Sequence, residues 1–157
     1  MAKQGLLVLH GAGEGAYAAD QALADRLQMD LPQMQVTYPH LPGLEQVNWA
    51  ATRADLQRAL DALPSGSLIV AHSLGGSALL KYLSEPAESP AIAGIWLLAA
   101  PYNLANSAWG PSDFCFPADF ATRLPDVGPI TLCHSRDDAF IAFDDLAKWT
   151  ARIPRAR

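Results

Sequence analysis

The sequence predicts an α/β fold, a three-layer α/β/α sandwich built on an open parallel sheet. Short apolar runs rich in β-forming residues alternate with stretches that carry apolar residues at helical spacing along most of the 157 residues. Half of the residues are hydrophobic and 17% are charged, a balance typical of one well-buried domain. Strands that alternate with helices favour a parallel sheet whose crossover connections are right-handed.

The predicted elements follow one another with short connections, apart from one long segment. Strands are predicted at residues 6–10, 36–38, 67–71, 92–100 and 130–133, and helices at residues 16–29, 47–63, 74–83 and 144–153. Residues 101–129 form the exception, and structureless segments of that length are usually functional loops. The aromatic residues of this loop either line a pocket or form a small core beneath it: Tyr102, Trp109, Phe114, Phe116 and Phe120.

Composition narrows the range of partners. A net charge of -5 gives no reason to expect nucleic acid or an anionic membrane as partner. No stretch approaches the roughly 20 apolar residues of a membrane span, and the N-terminus lacks the pattern of a signal peptide. Two cysteines are too few for a disulfide framework, and Cys133 is expected to be buried within its strand. We therefore expect a soluble, cytoplasmic protein.

Ser73 lies at a junction that is typical of a nucleophile. Residues 68–76 read LIVAHSLGG, so the serine follows a buried strand and precedes a helix, with Ala71 two residues before it and Gly75 two after. Such a turn is too tight for bulky flanking side chains, and it presents the hydroxyl at the carboxyl edge of the sheet. The alternative, a serine that only caps the helix, needs neither the double glycine nor the buried strand.

Two further loops are expected at the same edge of the sheet. Residues 10–13, HGAG, follow the first strand, and the N–H groups of Ala12 and Leu74 are the expected oxyanion donors, supported by His10 and Gly11. Residues 134–141, HSRDDAFI, follow the fifth strand and supply a carboxylate. On position alone, either Asp137 or Asp138 could be the acid.

These three segments together resemble the α/β-hydrolase superfamily, and the short connections look most like its small, lidless YdeN-like serine hydrolases. The resemblance implies the strand order 2-1-3-4-5 for the strands present. It also implies hydrolysis of an ester or related acyl bond of a small molecule through an acyl-serine, without metal or cofactor. In such families the acid precedes a Pro-x-Val/Ile stretch. Aligning Asp138 with that pattern favours it over Asp137 and puts Ala139 in the place of the proline.

The resemblance also implies a histidine after the acid, and this chain has none there. Its histidines are residues 10, 40, 72 and 134. His10, whose strand is next to that of Ser73 in the expected order, is either a stand-in for the base or a residue that shapes the loop after the first strand. An unassisted serine hydroxyl is a weak nucleophile, so the mechanism needs that base. We therefore expect residues 1–157 to be a single, C-terminally incomplete domain that lacks its last strand, is inactive in this form, and leaves the fifth strand as an exposed edge.

Two other functions compete with this interpretation. Residues 11–16, GAGEGA, fit the dinucleotide-binding pattern G-x-G-x-x-A after a first strand. That mechanism needs a carboxylate at the end of the second strand, where the sequence has Thr37 and Tyr38 instead. The second alternative keeps the fold but makes it a non-catalytic binding protein with a degenerate triad.

Overall fold

A five-stranded, fully parallel sheet forms the centre of the protein, and its strand order is β2-β1-β3-β4-β5. The computed structural model describes residues 3–86, 88–102 and 112–157. The strands are β1 (Gln4–Leu9), β2 (Met34–Thr37), β3 (Ser67–His72), β4 (Ile92–Leu98) and β5 (Ile130–Cys133). The predicted fold class and strand order are confirmed.

Of the six α-helices in the described residues, five lie between successive strands and the sixth follows β5, and two of the six were not predicted from the sequence. The helices are α1 (Ala16–Asp30), α2 (Pro42–Glu45), α3 (Trp49–Asp61), α4 (Leu74–Ser84), α5 (Phe120–Arg123) and α6 (Asp144–Arg152). The additional helices, α2 and α5, have four residues each, too few to show helical periodicity. Helix α3 begins two residues later than expected, because the Asn48 side chain caps it by accepting the Ala51 N–H at 2.9 Å.

The two faces of the sheet are covered unequally. Alternate residues of β1 belong to different apolar clusters, with Leu7 and Leu9 in the larger one and Leu6 and Val8 in the smaller one. The larger cluster lies under helices α3, α4, α5 and α6. Helix α1 covers the smaller one and buries only Ala24, whereas ten of the eleven residues of α4 are buried. An apolar groove of about 250 Å³ remains between α1 and the sheet.

The described aromatic residues of the 101–129 segment contribute to the core rather than to a pocket. Phe114 and Phe120 are fully buried, and the rings of Tyr102, Phe116 and Phe120 pack against the ring of Trp149 at centroid distances of 4.9, 5.3 and 6.0 Å. The indole N–H of Trp149 donates to the Ala100 carbonyl at 2.8 Å. Of the two interpretations of this loop, the core beneath it is therefore correct for these residues, and Trp109 lies outside the described residues.

The outer edge of β5 is paired by the backbone of Arg157. The Arg157 N–H donates to the Ile130 carbonyl at 3.0 Å, and the Leu132 N–H donates to the Arg157 carbonyl at 2.8 Å. The edge that we expected to be exposed is thus covered at this point. The prediction that Cys133 is buried is wrong. Its side chain points to the thinly covered face, opposite Ile130 and Leu132, and is exposed.

Helices that could cross a membrane are absent from residues 3–86, 88–102 and 112–157, since none there is both long and apolar enough.

Candidate active site

Ser73 occupies a strained turn between β3 and α4. Its backbone has φ 50° and ψ -131°, a conformation that residues with side chains rarely adopt. The Ser73 N–H donates to the Leu98 carbonyl at 2.8 Å, and the Ser73 carbonyl accepts the Gly76 N–H at 2.9 Å. Hydrogen bonds on both sides therefore hold the serine in this unfavourable conformation, as a nucleophile elbow requires.

Glycine at position 75 allows helix α4 to approach the end of β1. A Cβ atom on Gly75 would lie 2.3 Å from the His10 carbonyl oxygen, a distance that backbone atoms cannot tolerate. On the other side of the elbow, the small Ala71 side chain is fully buried. Gly76 also packs closely, since its Cβ would lie 3.1 Å from that of Ala100. Small residues around Ser73 are therefore required by packing, as the elbow pattern predicts.

The loop after β1 leaves one N–H group available. The Gly11 N–H donates to Asp20 Oδ2 at 2.9 Å, and the Gly13 N–H donates to the Leu44 carbonyl at 3.2 Å. Between them, the Ala12 N–H has no hydrogen-bond partner among the residues that the structure describes. Ala12 also lines the same cavity as Ser73, so its N–H is suited to donate a hydrogen bond to a negatively charged oxygen there.

The Leu74 N–H is the second such group. Leu74 is the first residue of α4, where backbone N–H groups have no partner within the helix. Its N–H makes no hydrogen bond within the described part of the chain. The positive end of the helix dipole lies at the same point and favours negative charge there.

His10 is a buried, neutral histidine that orients the loop. Its Nε2 accepts the Leu41 N–H at 3.0 Å, so its Nδ1 carries the proton and donates to the Gly11 carbonyl at 2.8 Å. That carbonyl belongs to the same planar peptide unit as the Ala12 N–H, so His10 sets the direction of this N–H. Burial lowers the pKa of His10, although hydrogen bonding to the Gly11 carbonyl and nearby carboxylates oppose the effect.

Asp138 lies in the loop after β5, and one of its carboxylate oxygens is hydrogen-bonded to the backbone. Its Oδ1 accepts the N–H groups of Phe140 and Ile141 at 2.8 and 2.9 Å. The hydrogen bond from Ile141, helped by that from Phe140 and by the nearby imidazole of His134, holds the pKa of Asp138 below its usual value despite partial burial. Its Oδ2 lies 3.6 Å from His134 Nε2, which itself hydrogen-bonds to the Ile141 carbonyl at 2.9 Å.

Asp137 differs from its neighbour in both exposure and contacts. Its side chain is exposed and hydrogen-bonds to the Ser135 hydroxyl, whereas Asp138 is half-buried and bound to Ile141. Since Ile141 lines the cavity that holds Ser73, the carboxylate adjacent to that cavity is Asp138.

A cavity of about 330 Å³ at the carboxyl edge of the sheet brings the loops together. It is lined by Ala12, Ser73, Phe140 and Ile141. The Ser73 hydroxyl makes no hydrogen bond to any residue that the structure describes, and the four histidines are among these residues. His10 and His134 are engaged as described above, His40 hydrogen-bonds to Glu45, and His72 hydrogen-bonds to Asp20.

Sequence reasoning missed two residues at this site. Asp20 lies on α1 and binds the loop after β1, but a lone carboxylate on a polar helix face carries no distinguishing signal. Phe140 is 89% exposed at the rim of the cavity, and no pattern of the sequence indicates an exposed phenylalanine at that position.

The glycine-rich segment does not have the properties of a dinucleotide site. Two of its N–H groups, those of Gly11 and Gly13, already donate hydrogen bonds to other residues of the protein and are not available to a phosphate. The carboxylate of Asp20 accepts one of them and would repel a phosphate group at that position. Within the described residues there is no cluster of three or more histidine, cysteine, aspartate or glutamate side chains that could hold a metal ion.

Comparison with known proteins agrees with the geometry. The family described as "Serine hydrolase" matches residues 18–155, which is most of the chain. No curated protein sequence matches. Several solved structures are similar, at identities that bear on the fold alone.

The ydeN gene product of Bacillus subtilis has a TM-score of 0.77 and 20% identity, with 99% of this chain and 83% of that chain covered. A putative YdeN-like hydrolase from Pectobacterium atrosepticum has a TM-score of 0.58 and 16% identity, with coverages of 98% and 75%. The 2-hydroxy-6-oxo-6-phenylhexa-2,4-dienoate hydrolase of Rhodococcus sp. strain RHA1 has a TM-score of 0.70 and 17% identity, with coverages of 99% and 81%. These similarities agree with a hydrolase core of parallel strands.

Substitution Gly75→Ala should destabilise the protein, because the added methyl group collides with the His10 carbonyl. We expect the free energy of unfolding in urea to fall by about 1–3 kcal/mol. Gly76→Ala is the matched control, since its methyl group would meet a side chain at 3.1 Å rather than backbone, and it should cost less. Equal losses in the two variants would contradict the proposed close approach.

The lowered pKa of His10 predicts a loss of stability on mild acidification. The unfolded chain binds a proton near pH 6.5 while the folded protein resists it, so stability is greatest above pH 6.5 and falls as the pH drops below it. Unfolding free energies measured between pH 8 and pH 5 should show this decrease, and His10→Asn should show a smaller one. Parallel curves for the two proteins would rule out a buried neutral His10.

Proposed function

The chain belongs to the serine hydrolase family, and we propose that it cleaves a carboxylic ester or a related acyl bond of a small molecule through an acyl intermediate on Ser73. The observation that carries this proposal is the shared cavity in which the strained Ser73 lies beside Ala12, whose N–H has no partner among the described residues. No other serine in the described ranges combines a turn of this kind with such a neighbour.

In the proposed mechanism, Ser73 Oγ attacks the carbonyl carbon of the substrate and forms a tetrahedral intermediate. The negative charge that develops on the carbonyl oxygen is stabilised by the N–H groups of Ala12 and Leu74. Collapse of the intermediate expels the alcohol and leaves an acyl-serine, which water then hydrolyses. Each of the two donors typically contributes about 2.7–4 kcal/mol of transition-state stabilisation.

Asp138 is the proposed acid of the site. Two backbone N–H groups fix Oδ1, and this leaves Oδ2 free to hold an imidazole in one tautomer and orientation. The lowered pKa keeps the carboxylate ionised at neutral pH, as that role requires. His134, which lies near Oδ2, instead binds the Ile141 carbonyl and so stabilises the loop that carries the acid.

The mechanism places its general base in the open cavity between Ser73 and the Asp138 loop. An imidazole there would take the proton of the Ser73 hydroxyl and later return it to the leaving alcohol. The histidines at positions 10, 40, 72 and 134 all have other partners and do not line this cavity. The proposed mechanism therefore needs an imidazole in this space, a role that none of these four histidines fills with the contacts they make here.

The walls of the cavity favour an apolar group on the substrate. Phe140 and Ile141 contribute two of its four lining residues, and the volume of about 330 Å³ suits a small acyl or alcohol moiety. The aromatic residues of the 101–129 loop do not supply this surface, because those described pack around Trp149 instead. We infer that short, uncharged esters are the preferred class.

A fluorophosphonate probe tests the nucleophile and the acid. In the full-length product of the gene, we expect covalent labelling that Ser73→Ala abolishes. Asp138→Asn keeps the size of the side chain but should lower the labelling rate by about 10³- to 10⁴-fold, because the imidazole loses its orientation. Mass spectrometry of the labelled peptide identifies the modified residue.

Asp137→Asn is the matched control for the acid, and it should keep the labelling rate close to that of the parent protein. Equal labelling of the Ser73→Ala variant would refute the nucleophile. A complete lack of labelling in the full-length protein would favour the non-catalytic binding function instead.

Added imidazole tests the general-base step in a protein that consists of residues 1–157. Since none of its histidines hydrogen-bonds to Ser73, free imidazole that diffuses into the cavity should increase the labelling rate in proportion to its concentration. Ser73→Ala in the same buffer is the control and should stay unlabelled. A rate that does not depend on imidazole at constant pH would argue against a base in this position.

A further inference from the structure

We propose that Asp20, on helix α1, is a positioning residue that holds the oxyanion donor of Ala12 at the correct distance from Ser73. The inference rests on the proposed function and extends it by a residue outside the three loops of the site. Asp20 touches neither the substrate nor the reacting atoms. It acts through the backbone of Gly11 on one side and through His72 on the other.

A single carboxylate oxygen joins the two halves of the site. Asp20 Oδ2 accepts the Gly11 N–H at 2.9 Å and hydrogen-bonds to His72 Nδ1 at 2.7 Å. Gly11 begins the loop that offers the Ala12 N–H, and His72 is the last residue of β3, directly before Ser73. The donor of the oxyanion hole and the nucleophile are thereby tied through the same atom.

The contacts around Gly11 show how closely these groups meet. A Cβ atom placed on Gly11 would lie 3.3 Å from Ser73 Cβ, 3.5 Å from His72 Nδ1 and 3.7 Å from Asp20 Oδ2. A side chain at position 11 would therefore meet the serine, its neighbour and the carboxylate at once, so all three surround this glycine closely. A small displacement of this residue would change the distance between Ala12 and Ser73 directly.

Gly11 is held from both sides by different side chains. Asp20 binds its N–H, while His10 Nδ1 binds its carbonyl, which shares a planar peptide unit with the Ala12 N–H. Glycine has the widest conformational freedom of any residue, so without these two bonds its dihedral angles would not be fixed. Without the hydrogen bond to Asp20, rotation about the Gly11 backbone could move the Ala12 N–H away from its position beside Ser73.

Asp20 stays ionised in this position. Partial burial alone would raise its pKa, but the hydrogen bonds from His72 and from the Gly11 N–H outweigh it and lower the pKa overall. With its side chain only 15% exposed, the carboxylate is also shielded from competing water. A charged acceptor makes stronger hydrogen bonds than a neutral one, which suits a fixed anchor.

Asp55 provides a matched control elsewhere in the fold. It lies on α3, is also buried, accepts the N–H of a loop glycine, Gly43, at 2.8 Å, and pairs with Arg58. It does not line the cavity that contains Ser73. Gly43 lies between Leu41 and Leu44, which bind His10 and Gly13, so Asp55 reaches the loop after β1 only through a second segment. Asp20 binds that loop directly and also connects it to the residue before Ser73.

The test measures kcat and KM for p-nitrophenyl acetate in the full-length protein, below the unfolding temperature of every variant. Asp20→Ala should lower kcat by about 10- to 100-fold, less than complete loss of an oxyanion donor, with KM changed less than about threefold. Asp20→Asn should restore most of the rate, because its amide oxygen can accept the Gly11 N–H. Asp55→Ala should keep kcat within about twofold.

The outcomes separate this inference from the proposed function. Turnover that requires Ser73 but is unchanged in Asp20→Ala overturns the role of Asp20 and leaves the proposed function intact. Equal losses of kcat in Asp20→Ala and Asp55→Ala overturn it as well, because they indicate general loosening. Absence of any Ser73-dependent turnover refutes the proposed function and this inference together.

A second variant keeps the inference testable if Asp20→Ala does not fold. His72 is 37% exposed, so His72→Ala breaks the connection from the side of the nucleophile with little loss of packing. We expect a decrease of kcat by more than about threefold with KM unchanged. An unaltered kcat in this variant would overturn the proposed coupling between the loop and Ser73.

Discussion

The close contact between helix α4 and the end of strand β1 is the constraint on which the site depends. It exists because residue 75 has no side chain, so that the His10 carbonyl can lie where a Cβ atom would otherwise stand. The contact brings the loop after β1 against the turn that carries Ser73. Without it, the two expected oxyanion donors would belong to separate regions of the surface. The strained backbone of Ser73 is maintained by the same packing, since its neighbours Ala71 and Leu74 are fully buried.

Around this contact, hydrogen bonds distinguish the groups that are available to a substrate from those that are not. Of three successive N–H groups in the loop after β1, the first binds Asp20 and the third binds Leu44, so the middle one is left for a ligand. In the loop after β5, two N–H groups donate to one oxygen of Asp138, and the other oxygen makes neither of these bonds. His10 and His134 serve as structural histidines in these two loops. These polar side chains thus bind some of the backbone N–H groups in the two loops. The Ala12 N–H and the second oxygen of Asp138 are the groups left for a ligand.

The sequence was sufficient for the fold class, the strand order and the junction at Ser73, because these follow from periodicity and from the small residues that a sharp turn demands. It could not show helix α2, whose four residues contain no full period, or the exposure of Cys133, which depends on how far α1 extends across the sheet. Asp20 was missed because its partners, Gly11 and His72, lie 9 and 52 residues away along the chain. The choice between Asp137 and Asp138 also depends on contacts, namely which carboxylate faces the two N–H groups. Short-range pattern therefore located the sharp turn at Ser73, while the groups that hold this turn and its neighbouring loops in place depend on tertiary structure.

The unequal covering of the sheet has a consequence for how the protein would lose activity on heating. Helix α4, which begins directly after Ser73, is almost entirely buried, whereas Ala24 is the one buried residue of α1. Elements with few buried contacts open locally at a lower free energy than the core does. Because Asp20 belongs to α1, detachment of that helix would disorder the loop after β1 while the sheet and Ser73 stayed in place. Thermal inactivation would then be a local, reversible event that precedes global unfolding. The temperature at which activity is lost would depend on how firmly α1 packs on the sheet, and not on the stability of the larger core.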